Sequence, residues 1–401
     1  MTKEKIRVLR IINRFNLGGP TYNAAYLTKY LGEDFETLLV GGFKDEHEAS
    51  SQYILENLKI KPRVISSMIR SIGAGDWTAF QELLRIIDEY KPHVVHTHAS
   101  KAGTLGRLAA IRKNVPVIVH TFHGHVFHSY FGSLKTNFYK AIERYLAKRS
   151  TAIIAISNQQ KHELSIEHGI CKPDKIKVIT LGFDLSRFRE RRAEKRVDFR
   201  AKYGLHKNEI AVGIVGRLVP IKNHEFFLKV AETAFQKNSK LRFFIVGDGE
   251  SRNHLEAYAT GLGLTFTQNK APNEKSPLCF TSWIKEVDWL YAGCDIVCLT
   301  SLNEGTPLSV IEAQSAGKPI VSTKVGGIHD IVDVNKSAYL TTTDDIDQFT
   351  EYVLQLAEDE MLRKDFGRSG ENYVAQRFDY ARLCADVKAL YEKLLEEKNK
   401  T

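Results

Sequence analysis

Most of this chain alternates short apolar runs with longer amphipathic ones, and that rhythm leaves few folds open. IRVLRIINRF has the pattern of a strand, GGPTYNAAYLTKYL of a helix, and FETLLVGG of a strand again. TAFQELLRIIDEYKP, HVVHTHA, KAGTLGRLAAIRKN, VPVIVHTFHG, LKTNFYKAIERYLAKR and TAIIAIS continue the series. Apolar strands joined through helices predict a parallel sheet covered on both faces. The rhythm pauses at VITLGFDLSRF, residues 178–188. It restarts with IAVGIVGRL, EFFLKVAETAFQ, LRFFIVGDG, VDWLYAGC, DIVCLTS, PLSVIEAQSAG and PIVSTKVGG. The fold class is therefore α/β, with two Rossmann-like doubly wound domains and a boundary near residue 183. A helical stretch from Ile346 to about Asn399, broken near RFDY, closes the chain. Ligands are expected at the carboxyl ends of the strands, in a cleft that the two domains face.

Composition removes several other classes. Five cysteines without metal-ligand spacing read as reduced thiols in a cytoplasmic setting. Arg7, Arg10 and Arg14 interrupt any apolar core of a signal peptide, and no apolar run is long enough to span a bilayer. Residues 1–183 carry 26 Lys and Arg against 16 Asp and Glu, a net +10, while the whole chain carries +9. The basic excess thus belongs to the N-terminal half. It suits phosphate contacts or attraction to an anionic surface, membrane or nucleic acid.

Three loops have the makings of a phosphate site. GIVGRLVPIKN follows a strand and opens toward a helix; Gly216 permits close backbone approach, and Arg217 and Lys222 suit a diphosphate. FNLGGPTYN places Gly18 and Gly19 between the first strand and first helix, where bare N–H groups can approach an anion. It lacks the GxGxxG spacing, and no acidic residue stands where a nicotinamide dinucleotide needs one. In LNEGTPLSVIEAQSAGKP, Thr306 fits a helix N-cap with Pro307 at the first helical position and Gly317 at the stop. The first amides of that helix, at Leu308, Ser309 and Val310, form an anion site. Glu304 stands just before it and Glu312 inside it, where a carboxylate can accept hydrogen bonds from a ribose diol.

Seven of the 14 histidines fall between His93 and His128. His96 and His98 share one face of a strand, and His123 and His125 pair in the same way. No cysteine or carboxylate joins them, so hydrogen bonding to a polyhydroxy ligand is favoured over metal binding, with His123 best placed.

These pieces, in this order, resemble the retaining GT-B glycosyltransferases of family 4. The resemblance rests on GG after the first strand, TFHGH after the fifth, GRLVPIKN opening the second domain, and the E-x7-E pattern EGTPLSVIE. DLSRF and the closing helix after RFDY fit the family as well. It implies an N-terminal acceptor-side domain over 1–183, a nucleotide-sugar domain over 184–376, and a last helix, 377–401, packed back on the first domain. Arg217 and Lys222 would neutralise a donor diphosphate, helped by amides at Gly305, Thr306 and Leu308 and approached by Gly18 and Gly19. Glu304 would bind the donor sugar, Glu312 the ribose, and His123 would contact the sugar and support an oxocarbenium-like transition state. The base would lie near Trp283. The donor expected is a UDP-sugar, with no metal or other cofactor. The acceptor expected is a glycan, lipid-linked, for surface polysaccharide, with His98 and Lys101 on its side. The basic helix LKTNFYKAIERYLAKR makes peripheral contact with the inner face of the cell membrane an expectation. TFTQNKAPNEKSPL, within 265–278, is longer than the family's usual link and adjoins the base site.

Two other classes compete. Non-hydrolysing UDP-sugar 2-epimerases share the GT-B architecture but are not expected to combine E-x7-E with R-x4-K. A non-catalytic nucleic-acid binder would use the basic half, yet no aromatic-interleaved basic motif is present.

Overall fold

The computed structural model describes residues 4–16, 18–45, 50–69, 71, 73–123 and 133–400. The chain divides into two compact units: residues 1–183 with 378–401, and residues 184–377. Each is built on a seven-stranded, wholly parallel sheet.

Unit 1 contains β1 (Ile6–Arg14), β2 (Phe35–Gly42), β3 (Arg63–Val64), β4 (Val94–His98), β5 (Val117–Thr121), β6 (Ala152–Ala155) and β7 (Ile176–Val178). Their order is β3-β2-β1-β4-β5-β6-β7. β4 and β5 are buried along their whole length, as expected of strands covered on both faces. The KAGTLG spacing explains how one covering helix, Ser100–Arg112, packs so closely. A Cβ on Gly103 would meet His120 Cε1 at 2.4 Å, and one on Gly106 would meet Thr97 Cγ2 at 2.6 Å. Arg107 of that helix is buried against Glu143 of the helix Ser133–Arg149, at 2.7 Å.

The helix Tyr380–Asn399 belongs to unit 1. Asp379 caps it by accepting from the Ala381 N–H at 2.8 Å. Its apolar face, Leu383, Cys384, Val387, Leu390, Tyr391 and Leu394, shares one core with Val8, Val94 and Val117.

Unit 2 contains β8 (Ile210–Val215), β9 (Leu241–Val246), β10 (Phe266–Gln268), β11 (Leu278–Thr281), β12 (Ile296–Leu299), β13 (Ile320–Thr323) and β14 (Ala338–Thr341), in the order β10-β11-β9-β8-β12-β13-β14. The long 265–278 segment is not all loop, because it supplies the edge strand β10, paired to β11. The helical stretch after Ile346 breaks twice, at Asp359 as well as at Asp379. Asp359 accepts from the Leu362 N–H at 2.9 Å and so starts a new helix. Only the second break was expected.

Candidate functional site

In both sheets the strand order reverses beside the first strand, between β1 and β4 in unit 1 and between β8 and β12 in unit 2. Loops leaving two such strands diverge to opposite faces and open a crevice at their carboxyl ends. In unit 2 those loops are Gly216–Asn223 and Thr300–Pro307, the two that carry the charged residues.

The two loops are tied together. Leu302 N–H donates to Ile221 O at 2.8 Å, and the Thr300 hydroxyl donates to Lys222 O at 3.0 Å. Lys222 Nζ donates to Glu304 Oε1 at 2.6 Å, and Ser301 Oγ donates to the same oxygen at 2.6 Å. Glu304 is therefore pinned through one oxygen. Arg217 is exposed, and its guanidinium has no partner among the described residues.

Glycines on neighbouring loops clasp this pair. Gly326, at φ +48, lies so close to the turn that a Cβ there would stand 1.7 Å from Glu304 O. A Cβ on Gly327 would stand 2.1 Å from Gly305 O, and one on Gly247, at φ +142, 1.9 Å from Gly216 O. Only glycine fits where backbones approach this closely. Gly305 itself has open space around its Cβ position.

The helix Leu308–Ser315 starts at the end of the Glu304 turn. The N–H groups of Gly305, Thr306, Leu308 and Ser309 find no acceptor among the described residues. Four unmet donors at a helix start, beside Arg217 and Lys222, make a strongly anion-seeking pocket edge. Glu312, on the second turn, accepts from the Tyr291 hydroxyl at 3.3 Å. Burial raises its carboxyl to about 7, opposed by the Arg187 charge and the Tyr291 hydrogen bond.

In unit 1 the strand ends carry imidazoles instead. His96 and His98 of β4 and His120 of β5 are fully buried, and His123 stands just past β5. His98 Nδ1 lies 2.8 Å from His123 Nε2. Arg10, fully buried in mid-β1, reaches His96 Nδ1 at 2.9 Å and His98 Nε2 at 3.3 Å. Tyr391, from the C-terminal helix, places its hydroxyl 2.6 Å from His96 Nδ1. Among the described residues no three His, Cys, Asp or Glu side chains are placed so that they could hold a metal ion. A guanidinium inside the histidine cluster would repel a cation there.

Family models agree with this geometry. One described as "Glycosyl transferases group 1" matches residues 195–373, and one described as "Glycosyltransferase Family 4" matches residues 17–187. The Escherichia coli UDP-Gal:alpha-D-GlcNAc-diphosphoundecaprenol alpha-1,3-galactosyltransferase is 32% identical over 332 residues, spanning 82% of each chain. This chain is a family 4 glycosyltransferase with the GT-B fold. The Staphylococcus aureus capsular polysaccharide biosynthesis glycosyltransferase CapM is 24% identical over 334 residues, 80% of this chain and 82% of that one. Among solved structures, Anabaena HepE in complex with UDP superposes with a TM-score of 0.81 at 19% identity, covering 97% of this chain and 100% of that one. At that identity the likeness establishes the fold.

Several expected site residues stand differently in the transferase. Thr306 is not the N-cap: Pro307 holds that position, at ψ 105, and the helix starts at Leu308. The Val310 amide is not free either, since it donates to Pro307 O at 3.2 Å. His98 is fully buried, with its Nδ1 against His123 Nε2. Lys101 forms an ion pair with Asp76 and donates to Ile69 O at 2.9 Å and Ser71 O at 2.5 Å. Its ammonium is thus held within unit 1, against Asp76 and two loop carbonyls. His125 lies outside the described residues.

Gly18 is extended, at φ 165, and Gly19 opens the helix Gly19–Lys29. A Cβ on either would meet nothing nearer than 3.7 Å. Packing among the described residues therefore does not demand glycine there, and the bare backbone is left accessible. Trp283 is 58% exposed just beyond β11. Gly247, Gly326 and Gly327 escaped the sequence reading, although the GDG and VGG turns after β9 and β13 were visible cues.

Proposed function

We propose that this transferase moves a hexose or N-acetylhexosamine from a UDP-sugar to a lipid-linked glycan acceptor, with retention of anomeric configuration. The observation that carries the reading is the set of unmet amides at the start of Leu308–Ser315, flanked by Arg217 and by the Lys222–Glu304 pair. Such an array stabilises a leaving diphosphate as its charge develops. Arg217 and Lys222 supply the cations, so the neutralisation needs no metal. Glu304 keeps its second oxygen for a sugar hydroxyl, Glu312 accepts from the ribose, and His123 contacts the donor sugar.

The bond from the anomeric carbon to the β-phosphate oxygen breaks as the acceptor hydroxyl attacks the same face. The departing phosphate takes the acceptor's proton. No additional base or nucleophile is required. The E. coli relative is named for UDP-Gal and a diphosphoundecaprenol-linked acceptor, and solved HepE complexes hold UDP or UDP-glucose. Those names support the donor class and a polyprenyl-type acceptor.

Membrane contact belongs to the same reading. No helix among the described residues is long and apolar enough to cross a membrane. In unit 1 a cavity of about 670 Å³ is lined by Arg144, Lys148, Lys172, Lys175, Lys177 and Lys393, by Asp174 and Glu397, and by the apolar Ile170, Leu390 and Leu394. Phe138 and Tyr145, seven residues apart on the basic helix, are exposed. An excess of cations beside apolar groups suits the headgroup region of an anionic leaflet. The free thiols of all five cysteines suit the cytoplasmic side.

The test is a thermal-shift panel of UDP-, GDP- and ADP-sugars, followed by hydrolysis of the donor that binds. Lys222→Ala should weaken UDP binding about tenfold by calorimetry, and an unchanged Kd removes the diphosphate role. Formation of an epimer from UDP-GlcNAc alone would establish the 2-epimerase reading instead. Salt-sensitive RNA binding without UDP-sugar affinity would establish the binding-protein reading.

A further inference from the structure

Arg10 is an unusual residue to find where it is. It is 0% exposed, in the middle of a parallel strand, and no carboxylate pairs with it among the described residues. Burying a lone cation is costly, so its surroundings must supply lone pairs. They do: His96 Nδ1 at 2.9 Å, His98 Nε2 at 3.3 Å and Leu27 O at 3.4 Å.

A guanidinium has five N–H donors and no lone pair. Every nitrogen it touches must therefore be an unprotonated acceptor. That fixes His98 with a bare Nε2, so its one proton sits on Nδ1. His98 Nδ1–H then donates to His123 Nε2 across 2.8 Å. His123 Nε2 is in turn an acceptor, and the ring's proton sits on Nδ1. The same logic puts the His96 proton on Nε2, where Thr121 Oγ1 accepts it at 2.7 Å. His123 Nδ1 is buried and has no hydrogen-bond partner among the described residues. The chain from Arg10 thus ends in one unsatisfied N–H.

We propose that Arg10, acting through His98, locks His123 as a neutral imidazole protonated at Nδ1, so that unit 1 offers the substrate a fixed hydrogen-bond donor and not a base. Arg10 and His98 are positioning residues in this scheme.

The groups around the chain reinforce it from every side. Arg10 faces it from β1, and His96 and His98 from β4. His120, hydrogen-bonded to Thr97 at 2.8 Å, faces it from β5. Tyr391 and Cys384 come from the C-terminal helix, and Arg107 from Ser100–Arg112. Glu143 is committed to Arg107. None of the charges acting on these four imidazoles is a carboxylate. Burial holds all four below the ordinary histidine range, His123 down to about 3, and Arg10 adds to it at His96 and His98.

The tautomer stands on unit 1 alone, whereas its use by the enzyme rests on His123 being a donor-sugar contact. Long-range 1H–15N correlation on the full chain, with ring-labelled histidine, reads the tautomer directly. His123 should show a protonated Nδ1 and a bare Nε2, unchanged between about pH 5.5 and 8. An Nε2–H ring or an imidazolium in that range overturns the proposal.

His98→Phe removes the donor and keeps a ring, while His98→Asn keeps an N–H near the position of Nδ1. With UDP-glucose and UDP-galactose hydrolysis as the assay, His98→Phe should lower kcat/KM about tenfold and let the His123 proton divide between Nδ1 and Nε2, while burial still keeps the ring neutral. His98→Asn should recover most of the rate and the Nδ1–H tautomer. A His98→Phe enzyme with the wild-type tautomer sinks the idea. If that variant does not fold, the wild-type spectrum still decides it. Inactivity of the wild-type enzyme with every UDP-sugar, beside an intact Nδ1–H signal, would count against the proposed function and not against the lock.

Discussion

Each unit has a seven-stranded parallel sheet whose order reverses beside its first strand, and the two solve the same problem in opposite ways. Each must hold polar groups still at the carboxyl ends of apolar strands. Unit 2 does it with backbone: Gly247, Gly326 and Gly327 let neighbouring loops touch, and the charged side chains stand at the surface of that clasp. Unit 1 does it with side chains: a buried cation, three buried imidazoles and a tyrosine interlock below the surface. The first arrangement presents charge that a diphosphate can neutralise. The second presents neutral donors. The difference teaches that a single fold divides electrostatic work from orienting work by choosing which atoms approach closely.

The comparison is sharpened most by Glu304→Ala. The side chain touches Lys222 and Ser301 but lies outside the core, so transfer should fall by about 100- to 1000-fold with little change in Tm. Near-wild activity in a steady-state transfer assay would remove the division of labour altogether. Next comes Gly326→Ala. A left-handed backbone and a Cβ 1.7 Å from Glu304 O should cost about 2–3 kcal/mol in denaturant unfolding and displace the carboxylate. A neutral outcome would show that the clasp is not what holds the turn.

A pH series tests a group of unit 2 whose proton affinity burial has changed. Glu312 is raised to about 7, above its ordinary value of 4.5. The folded chain therefore binds that proton more tightly than the unfolded chain does. Stability linked to Glu312 is full at low pH and is lost as pH rises through about 7. Ligand binding runs the other way, because a diol needs the ionised carboxylate. UDP-sugar affinity measured by calorimetry should improve by up to about tenfold from pH 6 to 8, and Glu312→Gln should flatten the curve. The smallest effect is expected of Trp283→Ala. Its ring is 58% exposed, so affinity should drop only about two- to threefold. A larger loss would mean that unit 2 also relies on a side-chain platform.

The sequence made the alternation, the boundary near 183 and the Glu304–Glu312 spacing legible because each is local. Strand and helix periodicity, a Gly-Thr-Pro turn and a seven-residue gap can all be read along the chain. What escaped is non-local. Arg10 looked like a residue that merely spoils a signal peptide, because its partners lie 86 and 88 residues away. Gly326 and Gly327 matter through backbone atoms of another loop, which no pattern of side chains records. Thr306 was misplaced for a local reason: both it and Pro307 fit a helix start, and the extended Pro307 took the cap. Lys101 looked free until Asp76 and two loop carbonyls arrived beside it.

The hydrogen bond from Tyr391 to His96 joins residues 295 apart in sequence. Its consequence lies in time. As the chain leaves the ribosome, the first sheet is made early, yet its core stays open until Leu383 to Leu394 emerge. Unit 2, continuous from 184 to 377, meets no such delay. Domains usually mature in the order of synthesis, but here the earlier half is sealed last. A nascent chain stopped just short of the final helix should hold a finished second unit and a first one still lacking Tyr391 and the apolar face around it.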